Sequence, residues 1–266
     1  MRKKIIALVL SVLMIGLCFA LAGCGDKQPA ADSDLAYIKD KGTLVIGITD
    51  FEPMDFQKEG SEEWVGFDAD LAKKFAESLG VQAKFQLIDW NYKTTELDGK
   101  TIDCVWNGMT LTEEVKAAMD CSKPYCNNQQ IVIVPADKAA DYQTAEACKD
   151  LRFAVENGSA GEEVATKNGF QVTEVEDQAS ALREVAAGTC DAAIIDSLMA
   201  AAMVGEGTSY ANLTYTVGLN DEEYGVGFRK GSDVVTIFNA FLEEAIADGT
   251  VDAIAETYGV QASLIK

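Results

Sequence analysis

The spacing of apolar positions changes repeatedly along the chain. "TLVIGIT" (43–49) is a nearly unbroken apolar, β-branched run, the pattern of a strand covered on both faces. In "DADLAKKFAESLG" (68–80), Leu71, Phe75 and Leu79 recur every fourth residue with Ala72 and Ala76 beside them. Gly80 ends the run, which predicts an amphipathic helix with a glycine stop. "QAKFQLID" (82–89) reads as a strand, followed by a short helix to Gly99, the strand "DCVWN" (103–107) and a helix beyond Thr112. Strand and helix in alternation imply a mostly parallel α/β sheet.

The rhythm then restarts. "QQIVIVP" (129–135) is a strand ending at a proline. "LRFAVE", a helix from Ser159, "QVTEVE", a helix from Gln178, "AAIID" with a helix after it, and "LTYTVG" form a second, smaller α/β set. "EEYGVGFRK" (222–230) is a Gly-punctuated strand. Val234, Ile237, Phe238, Phe241, Leu242, Ala245 and Ile246 mark an amphipathic helix, and a last short helix follows Gly249. Two α/β units joined by extended segments near 129–135 and 222–228 predict two lobes with a hinge crossed twice, a layout used to close around a ligand. One larger sheet is the alternative.

The N-terminus follows a different logic. Arg2, Lys3 and Lys4 precede the apolar run 5–23, which ends in Leu21-Ala22-Gly23-Cys24 and a polar stretch. Basic, apolar, small, then polar is the order of a secretory signal. A run of this length also matches an uncleaved membrane anchor. "LAGC" resembles a bacterial lipobox, whose cysteine is lipidated after cleavage before it. On this reading residues 1–23 are a lipoprotein signal peptide and residues 24–36 are the lipidated Cys24 with a flexible linker. Lobe 1 takes residues 37–130, lobe 2 residues 131–221, and residues 222–266 return to lobe 1.

Composition narrows the function classes. The formal charge is −21, and removal of the signal peptide takes away three cations and no acid. Such a surface repels nucleic acid and anionic head groups, and favours a soluble monomer. Histidine is absent, and no CxxC occurs. The residues therefore call for neither metal nor cofactor, and supply no persuasive nucleophile–base pair for an enzyme. Beyond Cys18 and Cys24 there are five cysteines, an odd number and a poor disulfide framework. Cys104, Cys148 and Cys190 read as small buried hydrophobes, while Cys121 and Cys126 bracket a Pro-containing turn and are close enough in sequence to pair.

Several ordered motifs carry a resemblance: "FEPMDF", "GFDADLAKKFAESLG", "IDCVWNGMTLTEE" with "CSKPY", "NNQQIVIV", "VENGSAG", "GTCDAAIIDSLMA" and "EEYGVGFRKGSD". Over roughly residues 38–260 the chain resembles the extracytoplasmic solute-binding proteins of amino-acid ABC transporters, the polar-amino-acid cluster. The resemblance implies a two-lobed type II periplasmic-binding-protein fold, a small amine-bearing ligand between the lobes, and an ABC permease as partner.

Site expectations follow from the residues and the resemblance together. Asp196 closes "AAIID"; it is either the acceptor of the ligand ammonium, as the resemblance implies, or the N-cap of the next helix. Gly158-Ser159-Ala160-Gly161 enters a helix whose N–H groups suit a carboxylate, with an ordinary cap at Ser159 as the alternative. Gly108 and Thr110 follow "DCVWN" and, by the resemblance, hydrogen-bond the ligand; plain strand-to-helix turn chemistry is the alternative. Phe51 and Trp90 match positions that sandwich the ligand, although aromatic rings more often serve the core. The family usually carries an arginine three residues after the second threonine of T-x-T, where it holds the ligand carboxylate in a bidentate pair. Here that residue is Val115, and Lys116 lies about 100° round the helix. With Glu52, Asp55, Glu156 and Asp196 making the cleft candidates acidic, the expectation is a ligand less dependent on its carboxylate: a cationic or modified amino acid, or an amine. Otherwise another donor, or water, replaces the arginine. A ligand sensor or a non-amino-acid binder on the same fold is the alternative function, and a dehydratase-like enzyme a further one.

Overall fold

The computed structural model describes residues 33–266, so Cys24, the signal peptide and most of the linker lie outside the described residues. Helix α1 (Asp34–Lys41) leads into β1 (Thr43–Ile48). The linker expected through residue 36 is therefore shorter. Asp34 is buried, both its oxygens accepting from Arg229 Nε, and that contact fixes the start of the helix.

A short hairpin, β2 (Phe56–Gln57) and β3 (Trp64–Val65), precedes α2 (Phe67–Leu79) and β4 (Gln82–Leu87). A 3-10 turn, Trp90–Tyr92, runs into α3 (Lys93–Asp98), then β5 (Cys104–Thr110) and α4 (Glu113–Ala118). Short strands β6 (Asp120–Cys121) and β7 (Cys126–Asn128) follow, and β8 (Gln130–Pro135) begins the second sheet. Its partners are β9 (Arg152–Glu156), β10 (Gln171–Val175), β11 (Ala192–Asp196) and β12 (Leu213–Gly218), interleaved with α5 (Ala160–Asn168), α6 (Gln178–Ala187) and α7 (Ser197–Met203). The chain returns through β13 (Glu222–Phe228) to α8 (Val234–Ala247) and α9 (Thr250–Tyr258).

Two sheets result. The first has the order β4-β1-β5-β13-β6, with β7 also paired to β13; the second has the order β10-β9-β11-β8-β12. In the first, β1 runs parallel to β4 and β5 while β13 enters antiparallel; in the second, β8 is the antiparallel insert. The chain passes between sheets only from β7 to β8 and from β12 to β13. The single-sheet alternative is thereby excluded.

Packing in lobe 1 explains the helix pattern. The face of α2 carrying Phe67, Leu71, Phe75 and Leu79 is buried. Phe75 and Trp106 meet Phe238 of α8 edge-on, with ring centroids 5.1 and 4.9 Å apart. Trp106 is thus core. Cys104, Cys148 and Cys190 are buried free thiols, and Cys121 and Cys126 are free as well. The last two pair with Gly227 and Tyr224, three residues apart along β13, a separation of roughly 10 Å. Disulfide bonding needs Cα atoms within about 7 Å. Among the described residues no helix is long and apolar enough to cross a membrane.

Candidate functional site

Where the strand ends of the two sheets face each other lies a cavity of about 460 Å³. Phe51, Trp90, Gly108, Thr110, Ser159, Ala160 and Asp196 all line it, as do Val115 and Glu156. Glu52 and Asp55 do not. Asp55 is fully buried beneath the lobe-1 wall, where its Oδ2 accepts from Asn107 Nδ2 at 2.8 Å.

The lobe-1 wall is held by backbone contacts that only certain residues permit. Gly108 lies within β5 rather than in a turn after it; it has φ +53°, and a Cβ there would stand 2.6 Å from Phe51 Cε1, so glycine alone lets the ring lie against the strand. Phe51 also meets Tyr224 edge-on and is almost fully buried; it serves core and cleft at once. Gly108 N–H donates to Asp68 Oδ2 at 2.6 Å, and Tyr125 O–H donates to the same oxygen at 2.8 Å. Burial raises the Asp68 carboxyl to about 7 against these donors. Thr110 Oγ1 donates to Glu222 Oε1 at 2.8 Å, which leaves its lone pairs for other partners. Thr112 caps α4 by accepting from Val115 N–H at 3.1 Å. Val115 packs with Trp90, Met109 and Met119, and Lys116 turns outward to Glu113. At the lobe-1 helix start, Val115 therefore offers an apolar patch beside the Glu114 carboxylate, and no cation.

The hinge holds the acidic centre. Asp196 occupies the N-cap position of α7 yet makes no capping bond. Its Oδ1 accepts from Gln130 Nε2 at 2.9 Å, from Tyr224 O–H at 2.8 Å and from Asn128 Nδ2, and its Oδ2 accepts from Gln178 Nε2. The same two amides of Asn128 and Gln130 also donate to Glu222 Oε1, at 2.6 and 2.8 Å. Burial and then the nearby Glu222 charge push the Asp196 carboxyl well above its usual range. Strands from both crossings thus converge on one carboxylate.

On the lobe-2 wall, Ser159 caps α5 by accepting from Glu162 N–H at 3.2 Å, and Glu162 Oε2 accepts from Gly158 N–H at 2.7 Å. Glu163 N–H bonds Ser159 O. Among the described residues the N–H groups of Ala160 and Gly161 have no such acceptor, so two helix-start donors remain open. Glu156 ends β9 with Oε1 buried and unpartnered. Burial, then the charge of Asp177, raises its carboxyl to about 8, with Lys93 opposing.

A pH test of Glu156 follows. A carboxyl whose folded value is raised holds its proton longer in the folded chain, so stability falls as pH climbs from its ordinary value toward 8. Glu156→Gln removes that titration. In protein purified without ligand, the variant's Tm gain over wild type should be near zero at pH 5 and grow by at most roughly 3 °C per pH unit up to 8. Differential scanning calorimetry across that range checks it, and a pH-independent difference would contradict the assignment.

Sequence reasoning missed Gln178, Asn128, Gln130, Glu222 and Lys93. Asn128 and Gln130 carried a faint signal, as polar residues at the head of the apolar run "QIVIVP". Lys93 carried none, being one lysine in a short polar helix.

A double-crossed α/β fold with a polar cleft at the crossing defines a ligand-enclosing binding protein. Residues 44–261 match the model of the bacterial extracellular solute-binding proteins, family 3, and the chain belongs to that family. It is 29% identical to the L-cystine-binding protein TcyJ of Escherichia coli (strain K12), over 90% of each chain. It is 28% identical to the arginine-binding extracellular protein ArtP of Bacillus subtilis (strain 168), over 93% of this chain and 96% of that one. A crystal structure of a mutant of ArgBP from T. maritima superimposes with TM-score 0.79 at 32% identity, covering 85% of this chain and 98% of that one. The fold is that of the type II periplasmic binding proteins.

Proposed function

We propose that the protein captures an amino acid, or a closely related small solute bearing an amine, outside the cytoplasm and delivers it to an ABC importer. One observation carries this reading. Across a single cleft, the buried Asp196 carboxylate faces the open N–H groups at the start of α5. An ammonium acceptor opposite carboxylate donors is what an α-amino acid requires. The similarity to TcyJ and ArtP, named for cystine and arginine, supports the substrate class. Phe51, Trp90, Gly108, Thr110, Ser159, Ala160 and Asp196 are the proposed contacts. The role is binding rather than catalysis, in keeping with relatives named as binding proteins. The "LAGC" segment supports a lipid on Cys24 that tethers a monomeric domain to the membrane beside its permease.

The test is a thermal-shift screen of L-arginine, L-cystine, L-glutamine and L-histidine. A ligand at 100 times its Kd adds about 2.7 kcal/mol, a rise of roughly 5–10 °C for a chain of this size. Absence of any shift at millimolar concentrations would count against the amino-acid reading.

A further inference from the structure

Lys93 opens α3 in lobe 1 and lines the cleft. Its Nζ lies 5.0 Å from the centroid of the Trp90 ring and donates to Trp90 O at 3.1 Å. The same ammonium reaches across to lobe 2 and donates to Gly158 O at 2.9 Å. Gly158 has φ +72°, and a Cβ there would stand 2.8 Å from Asn91 Cα, so the two lobes touch closely at this point. The carbonyl it offers belongs to the residue just before the Ser159 cap. The charge of Lys93 is therefore set at the turn that leads into the start of α5, where Ala160 lines the same cleft. Two of its three N–H donors are accounted for, and the third remains for a bound anion.

The other basic residue on the cleft wall is Lys167, which is exposed and paired with Glu163. The lobe-1 helix start offers the cleft Val115 and the acidic Glu114, and no cation. Burial pulls the Lys93 ammonium below its usual range, while Glu156, Glu114, Glu162 and Asp89 hold it up. A cation sharing a partly buried nook with two neutral N–H donors is an anion site of stronger attraction than the donors alone.

We propose that Lys93 is the specificity residue that reads the ligand's carboxylate, and that it does so only in the closed form, because its bond to Gly158 forms when the lobes meet. This rests on the amino-acid reading of the cleft. It takes up the alternative that another donor replaces the arginine, in place of a ligand less dependent on its carboxylate: a cation from a different element does the work.

The experiment compares each amino acid with its decarboxylated counterpart by titration calorimetry on the purified full chain. The pairs are L-arginine with agmatine and L-cystine with cystamine. Wild type should prefer the carboxylate-bearing member of at least one pair by tenfold or more. Lys93→Met should cut that preference to threefold or less, mainly by weakening the amino acid, and Lys93→Arg should keep most of it. Lys93→Gln serves as a second neutral variant should the methionine variant misfold. The ratio isolates carboxylate reading, because loss of a closure contact alone weakens both members equally. A preference unchanged in the neutral variants overturns the proposal and leaves Lys93 a closure contact, with the amino-acid reading intact. Failure of wild type to bind these four compounds, L-glutamine and L-histidine alike overturns both, and wild-type binding with no carboxylate preference overturns the proposal alone.

Discussion

Arg229→Met is expected to lower the stability of the protein by about 3–5 kcal/mol, the usual cost of removing one partner from a buried ion pair. Arg229 is 7% exposed and sits at the end of β13. Its Nε donates to both oxygens of Asp34, and its Nη1 donates to Leu97 O at 3.0 Å and Ile102 O at 2.7 Å. One guanidinium thereby ties the first described helix, the end of α3, the entry to β5 and the returning strand together. Methionine has a similar volume but satisfies none of these acceptors, and the nearest cation then left to the buried Asp34 charge among the described residues is the Lys100 ammonium at 3.9 Å. For a chain of this size the loss corresponds to a Tm lower by roughly 10 °C. Urea unfolding and calorimetry would measure it. Because Arg229 is not among the cleft-lining residues, the ligand affinity of the folded variant should stay within about threefold of wild type. A stability loss under about 1 kcal/mol would show that the network is worth little more than a surface ion pair.

Asp196→Asn is expected to weaken binding of L-arginine or L-cystine by 100-fold or more, equivalent to about 3 kcal/mol. On the proposed reading, the change removes the negative charge opposite the ligand ammonium. It also replaces one acceptor oxygen by an NH₂ in a setting where Asn128, Gln130 and Gln178 already present donors. Titration calorimetry gives the affinity, and near-UV circular dichroism checks that the hinge still packs. The reading of Asp196 as a plain helix cap predicts a different result. A cap contributes to stability by about 1 kcal/mol and leaves affinity alone. Since Asp196 makes no capping bond, a variant with affinity within threefold of wild type would leave it as a hinge residue only.

Much of this protein was legible in its sequence, and the reasons are local. The four-residue recurrence of Leu71, Phe75 and Leu79 gave α2 because one helical face must be apolar to meet the sheet. Gly108, placed by the sequence in a turn after "DCVWN", instead lies inside β5, at positive φ where the pairing with β13 is irregular. The double crossing near residues 129 and 222 followed from where each α/β rhythm stopped and restarted. Other features were not legible. The expectation that Asp55 faces the cleft failed because its side chain turns under the lobe-1 wall to Asn107, an orientation no spacing rule encodes. Val115 was read as a missing anchor, and it is an apolar wall residue; but the cation that stands nearby comes from α3, some twenty positions earlier in the chain.

By itself, then, the sequence determined the elements, their two groupings and the class of solute-binding fold. These depend on periodicities and turn chemistry that act over a few residues. Only the tertiary structure decided that Asp196 is shared with Glu222 through two amides, that Glu156 ends with one oxygen buried and unpartnered, and that Lys93 reaches Gly158. Each of these joins residues from separate elements or separate lobes. Their energies come from burial and from charges brought within a few ångströms, which no local pattern records.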